Sequence, residues 1–132
     1  MKQKTIALIA HDRKKADMVA FATQNKKKLE KFNLIGTGTT AKLVREKTGL
    51  KVKAYHSGPY GGDVEIAALV VKGKCNMVIF LHDPLEPHPH DPDIKTLMSV
   101  CDVYNISTVW TGVISLNFQS CFFSRNFLSS FS

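Results

Sequence analysis

Two uninterrupted apolar runs constrain this chain more than any other feature: Thr5–Ala10 and Met77–Leu81. A strand with one wet face alternates polar and apolar residues, whereas a strand apolar at nearly every position is covered on both faces. That is the condition of a strand inside a parallel sheet with helices above and below. The segments between and around the two runs supply those helices. Ala16–Lys31 carries Met18, Phe21, Ala22, Asn25 and Leu29 at helical spacing, a core face with Asn25 as its one polar member. Phe32–Ile35 reads as a short strand. Thr40–Thr48 reads as a helix that Gly49 can end in a left-handed turn. Lys51–Tyr55 is a third strand, and Gly62–Lys72 a helix ending at Gly73. A further helix starts where Asp91 can cap it, Pro92 suits the first helical position and Asp93 the first turn. Its core face is Ile94, Leu97, Met98 and Cys101, and a strand follows at Ser107–Thr111. Strands alternating with helices imply an α/β fold with a parallel sheet and crossover connections.

At 132 residues, with 44% hydrophobic and 22% charged residues, the chain has the size and balance of one domain with a real core. Cys75, Cys101 and Cys121 form no Cys-x-x-Cys pair, so neither a zinc knuckle nor a redox dithiol is indicated, and scattered thiols fit a reducing cytoplasm. The apolar run after Met1-Lys2-Gln3-Lys4 is too short for a signal-peptide core, and no stretch is long enough to span a membrane. The expected location is cytoplasmic. The net charge of +7 suits anionic ligands. Nucleic acid is not expected, because the basic residues lack interleaved aromatics and no nucleic-acid-binding motif is present.

In an open parallel sheet, ligands bind beyond the carboxyl ends of the strands. Four successive strand ends are followed here by chemistry-bearing loops. His11-Asp12 with Lys14 and Lys15 follows the first strand, and Gly36-Thr37-Gly38-Thr39-Thr40 the second. Ser57-Gly58-Pro59-Tyr60-Gly61-Gly62-Asp63 follows the third. His82-Asp83-Pro84 and then His88-Pro89-His90-Asp91-Pro92-Asp93 follow the fourth. The threonine loop opening a helix fits an anion cradle made of backbone amides and hydroxyls, and equally a tight turn capped by Thr39. Asp63 fits a general base, and equally a first-turn carboxylate meeting the helix dipole. His88, His90, Asp91 and Asp93 fit acid–base chemistry or a metal site.

The segments Ala10-His11-Asp12, Thr37-Gly38-Thr39-Thr40, Ser57-Gly58-Pro59-Tyr60-Gly61-Gly62-Asp63, Asp83-Pro84 and Pro89-His90-Asp91-Pro92-Asp93 resemble the methylglyoxal synthase family in order and spacing. The resemblance covers about residues 4–106. It implies a doubly wound, three-layer α/β fold of the flavodoxin or Rossmann kind. It implies conversion of dihydroxyacetone phosphate to methylglyoxal and inorganic phosphate through an enediolate, with no metal and no cofactor. It implies a homo-oligomer, specifically a hexamer, and phosphate as product and inhibitor. By motif position Asp63 matches the family's proton-abstracting carboxylate, His90 the histidine at the substrate oxygens, and Asp93 a second acid. His11, Lys15, Thr37, Gly38, Thr39, Thr40, Ser57 and Gly58 match substrate- and phosphate-binding positions. The competing reading is a non-catalytic phosphate- or nucleotide-sensing domain of the same fold.

The resemblance stops near Ile106. Residues 112–132 form a Ser/Phe-rich tail in which Arg125 is the only charged side chain, and this change resembles a frameshifted end. The expected organisation is therefore an α/β domain over residues 1–111 followed by an atypical tail over 112–132.

Overall fold

The computed structural model describes residues 4–56, 61–83 and 91–111. The tail 112–132 lies outside them. Five strands form one wholly parallel sheet: β1 (Thr5–Ala10), β2 (Asn33–Thr37), β3 (Val52–Tyr55), β4 (Met77–Leu81) and β5 (Ser107–Thr111). Their order is β3-β2-β1-β4-β5. The chain thus winds outward from β1 through β2 to β3, then crosses back to β4 and continues to β5. The helices are α1 (Lys15–Gln24), α2 (Lys26–Leu29), α3 (Gly38–Thr48), α4 (Gly62–Val71) and α5 (Asp91–Val103). Among the described residues no helix is long and apolar enough to cross a membrane.

The two apolar runs are the central strand β1 and its neighbour β4, paired from Ile6 opposite Met77 to Ala10 opposite Leu81. Successive side chains of a strand point to opposite faces, and the core divides on that rule. Ile6, Leu8, Ala10, Leu34, Val52, Met77, Ile79 and Leu81 pack with Met18, Phe21, Ala22, Leu29, Ala41 and Val44 of α1, α2 and α3. Ala7, Ile9, Ile35, Val78 and Phe80 pack on the other face with Ile66, Ala67 and Val70 of α4 and Ile94, Leu97 and Cys101 of α5. The result is a doubly wound three-layer α/β fold.

Several boundaries differ from the sequence reading for identifiable reasons. The helix expected over 16–31 is broken at Asn25, the polar member of its core face. Asn25 sits at φ −115°, ψ 21°, and its side-chain Nδ2 donates to the Phe21 carbonyl at 2.9 Å. Its backbone N–H donates to the same carbonyl at 3.1 Å, so Asn25 stands as the C-cap of α1 and the N-cap of α2. Strand β2 runs on through Gly36 and Thr37, which pair with Ala54 and Tyr55 of β3, and only glycine fits at Gly36. A Cβ on Gly36 would lie 2.8 Å from the Leu8 carbonyl oxygen and 3.3 Å from the Ala41 Cβ. The N-cap of α3 is consequently Thr37, and Thr39 lies inside the first turn rather than capping it. Gly49 ends α3 at φ 78°, as expected. Met98, assigned to the core face of α5, is 42% exposed, whereas Ile94, Leu97 and Cys101 are buried.

Candidate active site at the carboxyl edge of the sheet

Strands β1 and β4 are neighbours whose connections lead to opposite sides, which makes the gap beyond their carboxyl ends the topological switch point of the sheet. His11 stands there. Its backbone N–H donates to the Leu81 carbonyl at 3.2 Å, extending the ladder one residue past each strand. Its ring Nδ1 accepts the Asp83 backbone N–H at 2.9 Å, a buried bond across 72 residues. An accepting Nδ1 puts the proton of the neutral ring on Nε2, so His11 is set as an Nε2–H donor. Phe80 meets the imidazole edge-on at 5.3 Å and His82 stands 5.0 Å away, ring centre to ring centre. Arg13 Nε lies 3.8 Å from the buried Asp83 carboxylate.

Lys15, Thr40 and β1 converge on a single carbonyl. The Lys15 ammonium donates to the Ala10 oxygen at 3.1 Å and to Asp12 Oδ1 at 2.7 Å. The buried Thr40 hydroxyl donates to the same Ala10 oxygen at 3.4 Å. An ammonium has three N–H bonds, so two are committed to holding the side chain in place and the third remains for an anion. A short turn of 3₁₀ helix at Asp12–Lys14 makes this possible by bringing Lys15 back over the end of β1.

The start of α3 supplies further donors. Its N-cap Thr37 makes no side-chain capping bond, so the first-turn amides are not satisfied from that side chain. The Gly38 amide is already used, donating to the His56 carbonyl at 3.3 Å beyond the β2–β3 ladder. The amides of Thr39 and Thr40 are the ones left to meet an anion at the positive end of the helix. Thr37 and Thr40 are buried and Thr39 is exposed.

Asp63 belongs to the opposite layer. Helix α4 begins after Gly61, which sits at φ 91°, a left-handed conformation that favours glycine. This places Asp63 in the first turn, 1% exposed, near the positive end of α4. The sequence-predicted residues His11, Lys15, Thr37, Gly38, Thr39, Thr40 and Asp63 all fall at the carboxyl edge of the sheet. Ser57, Gly58 and His90 lie outside the described residues. The backbone of Asp93 falls in the first turn of α5, and its side chain lies outside the described set.

Sequence reasoning gave no role to Asp12, His82 or Asp83, although Asp12 steadies Lys15 and Asp83 fixes the His11 ring. The available signal was positional, since His82-Asp83 follows β4 as His11-Asp12 follows β1. Among the described residues no group of three or more His, Cys, Asp or Glu side chains could hold a metal. The alternative set His88, His90, Asp91 and Asp93 lies mostly outside them.

A cavity of about 880 Å³ lies elsewhere, along the outer strand β3 and the amino ends of β1 and β2, against Thr5, Asn33, Leu50, Val52 and Tyr55. None of the candidate site residues lines it. Amino ends of parallel strands offer no helix N-termini to an anion, so the carboxyl edge is the stronger candidate despite the cavity.

The sequence and the fold are similar to those of known proteins. A family model described as MGS-like domain matches residues 17–110. A methylglyoxal synthase of Clostridium botulinum (strain Alaska E43 / Type E3) is 54% identical over 104 residues, covering 79% of this chain and 87% of that protein. A methylglyoxal synthase of Hahella chejuensis is 54% identical over 102 residues, covering 77% of this chain and 67% of its own. The crystal structure of methylglyoxal synthase from Elizabethkingia anophelis NUHP1 superimposes with a TM-score of 0.78 at 41% identity, over 88% of this chain and 80% of that one.

Proposed function

Since the chain belongs to the methylglyoxal synthase family of enzymes, we propose that it acts on dihydroxyacetone phosphate, eliminating phosphate to leave methylglyoxal. The observation that carries the reading is the convergence of Lys15 and Thr40 on the Ala10 carbonyl beside His11, at the start of an uncapped helix. It is a built anion site at the switch point of the sheet.

The reaction needs a base, an electrophile and a phosphate holder. Asp63 takes a proton from the hydroxymethyl carbon of the substrate, and the carbon–hydrogen electrons become an enediolate. A positioned donor must meet the oxygen where that charge develops. His90 is assigned to those oxygens, and His11, whose Nδ1 accepts the Asp83 amide, is assigned to substrate binding beside it. The hydroxyl on the carbon that lost hydrogen then gives up its proton, which leaves with the phosphate, and becomes the aldehyde carbonyl as the double bond shifts to the phosphate-bearing carbon. The bond from that carbon to the phosphate oxygen breaks, and the phosphate leaves with the electron pair. The resulting enol aldehyde ketonises to methylglyoxal. Lys15 and the Thr37–Thr40 segment, with Ser57 and Gly58, hold the phosphate before and after the bond breaks. Asp93 serves as a second acid. None of these steps requires a metal or cofactor.

The reading extends to a homo-oligomer, specifically a hexamer, working in the cytoplasm, with sedimentation as the measurement of its assembly state. The test of function is colorimetric. Purified protein given dihydroxyacetone phosphate should release methylglyoxal and phosphate in equal amounts. Protein that binds phosphate yet releases no methylglyoxal would leave a sensing domain as the better account.

A further inference from the structure

We propose that Glu65 is a positioning residue for the phosphate cradle, acting through His56, an inference that rests on the function proposed above. A single carboxylate oxygen, Glu65 Oε1, accepts two hydrogen bonds from His56. The backbone N–H donates to it at 2.7 Å, and the ring Nδ1 lies 2.9 Å from it. The carbonyl of the same residue accepts the Gly38 amide at 3.3 Å. His56 is therefore a node. One side of it is tied to α4, two residues beyond Asp63, and the other to the first residue of α3, inside the Thr37–Thr40 segment. The Glu65 amide also donates to the Gly61 carbonyl at 3.0 Å, so the braced turn of α4 includes its own left-handed N-cap.

The placement is what gives the pair a purpose. Glu65 ties His56, just beyond β3, to the first turn of α4 across nine residues. The brace thus joins two parts of the site that come from different elements: the helix of Asp63 and the threonine segment that opens α3. Thermodynamic stability is a poor explanation for it. The His56 side chain is 72% exposed and that of Glu65 35% exposed, and exposed ion pairs contribute little. The backbone N–H bond fixes where the His56 carbonyl points, and that carbonyl sets the Gly38 amide at the start of α3. By occupying Gly38, the brace also leaves anion binding to the amides of Thr39 and Thr40.

The test uses the full chain with Glu65→Ala, Glu65→Gln and His56→Ala. Amide hydrogen exchange at Gly38 in the unliganded protein reads the brace without reference to activity. KM and kcat for dihydroxyacetone phosphate, together with the inhibition constant of inorganic phosphate, read its effect on the site. In Glu65→Ala the Gly38 amide should exchange about tenfold faster, and KM and the phosphate inhibition constant should rise by about tenfold, the scale of one lost hydrogen bond. The same variant should change kcat by less than about threefold, because the brace touches no reacting atom. Glu65→Gln keeps an acceptor oxygen and should recover most of the loss. His56→Ala keeps the backbone arm and should fall between.

Unchanged Gly38 exchange and KM in folded Glu65→Ala would overturn the proposal. So would a Glu65→Gln variant as impaired as Glu65→Ala, since the acceptor would then be irrelevant. Should Glu65→Ala fail to fold, Glu65→Asp, which withdraws the acceptor by one methylene, decides, and unaltered Gly38 exchange in that variant counts against the brace. If the unmutated protein makes no methylglyoxal, the functional reading fails, while Gly38 exchange still decides whether Glu65 positions the cradle.

Discussion

Replacing Gly36 by alanine tests whether the carboxyl edge is as tightly specified as the contacts imply. Two effects of opposite sign compete. Alanine in place of glycine restricts the unfolded chain, which stabilises by about 0.4–1 kcal/mol where the native conformation tolerates it. Against this, the new Cβ would stand 2.8 Å from the Leu8 carbonyl oxygen and 3.3 Å from the Ala41 Cβ. Both are parts of rigid elements, one the backbone of central strand β1 and the other the first turns of α3, so neither yields as a flexible side chain would. Overpacking of this kind costs roughly 1–3 kcal/mol. The net expectation is destabilisation by about 1–2 kcal/mol, lowering Tm by roughly 4–10 °C for a chain of this size. The displacement falls where it matters, since Leu8 lies two residues before Ala10 and Ala41 one after Thr40. Separating β1 from α3 lengthens the Thr40–Ala10 hydrogen bond, already 3.4 Å, and phosphate binding should weaken along with stability. Urea unfolding at fixed protomer concentration, with an unchanged slope, measures the first effect, and calorimetric titration with phosphate measures the second. A Gly36→Ala protein as stable as its parent would refute the close-approach argument. One destabilised as expected but with unaltered phosphate affinity would detach the cradle from the strand–helix contact.

Asp63→Asn keeps shape and burial but removes the base, so kcat should fall by about 10²–10⁴-fold with phosphate inhibition retained; near-normal turnover would remove Asp63 from the chemistry. Exhaustive chelation should leave activity intact, and loss restored by one particular metal ion would favour the reading of His88, His90 and Asp93 as ligands. Burial pushes the Cys75 thiol up to about 12 and the Cys101 thiol up to about 11, from an ordinary 9.0. Both should therefore resist alkylation at pH 8 in the folded protein, and peptide mapping that finds them labelled as fast as in urea would contradict their burial. Because the folded-state values are raised, the stability contributed by the neutral thiols is complete below about pH 9 and declines as pH climbs towards 11–12, which a series of urea midpoints between pH 8 and 11 would detect.

The alternation of strands and helices was legible because burial on two faces leaves a local mark. Met77–Leu81 could be assigned from five adjacent residues, and Gly49 from its place after a helical run. Boundaries were less legible wherever tertiary contact decided them. Nothing local to Gly36-Thr37 says that the two residues pair with Ala54 and Tyr55 or that β1 and α3 approach Gly36 closely. Asn25 was visible as the wrong residue for a core face, but its place as the cap between α1 and α2 was not. Met98 followed the helical period and still faces outward, since a period fixes a stripe without saying how wide the neighbouring layer is. At the site, the loops after each strand could be recognised as rich in chemistry. Their mutual contacts could not, because the Asp83 amide and the His11 ring are 72 positions apart. Only the pairing of β1 with β4 brings them together.

That pairing also bears on which reaction the site would favour. The Thr37–Thr40 segment opens α3, which covers one face of the sheet, whereas Asp63 opens α4, which covers the other. On the proposed assignment the phosphate is held from one layer and the proton is taken from the opposite layer, with the ends of β1 and β4 between them. A substrate held at one end by the cradle and approached by a base from across the sheet edge has its phosphate-bearing arm and its reacting carbon fixed independently. Elimination demands that freedom, because the carbon–oxygen bond to phosphate must stand out of the enediolate plane for its electrons to overlap the developing double bond. An enzyme that only moved the proton between carbons would need the same bond held within the plane, so that phosphate stayed on. On that assignment, the angle between cradle and base is what would separate elimination from isomerisation. Glu65 bears on that angle, since its hydrogen bonds to His56, whose carbonyl accepts the Gly38 amide, link the first turn of α4 to the first residue of α3. A looser brace should accordingly raise the fraction of turnovers that return the enediolate to solvent or to the isomeric aldehyde phosphate. Product analysis of Glu65→Ala by exchange of substrate hydrogen in heavy water would measure this, and a partition identical to that of the parent enzyme would show that the angle is set elsewhere.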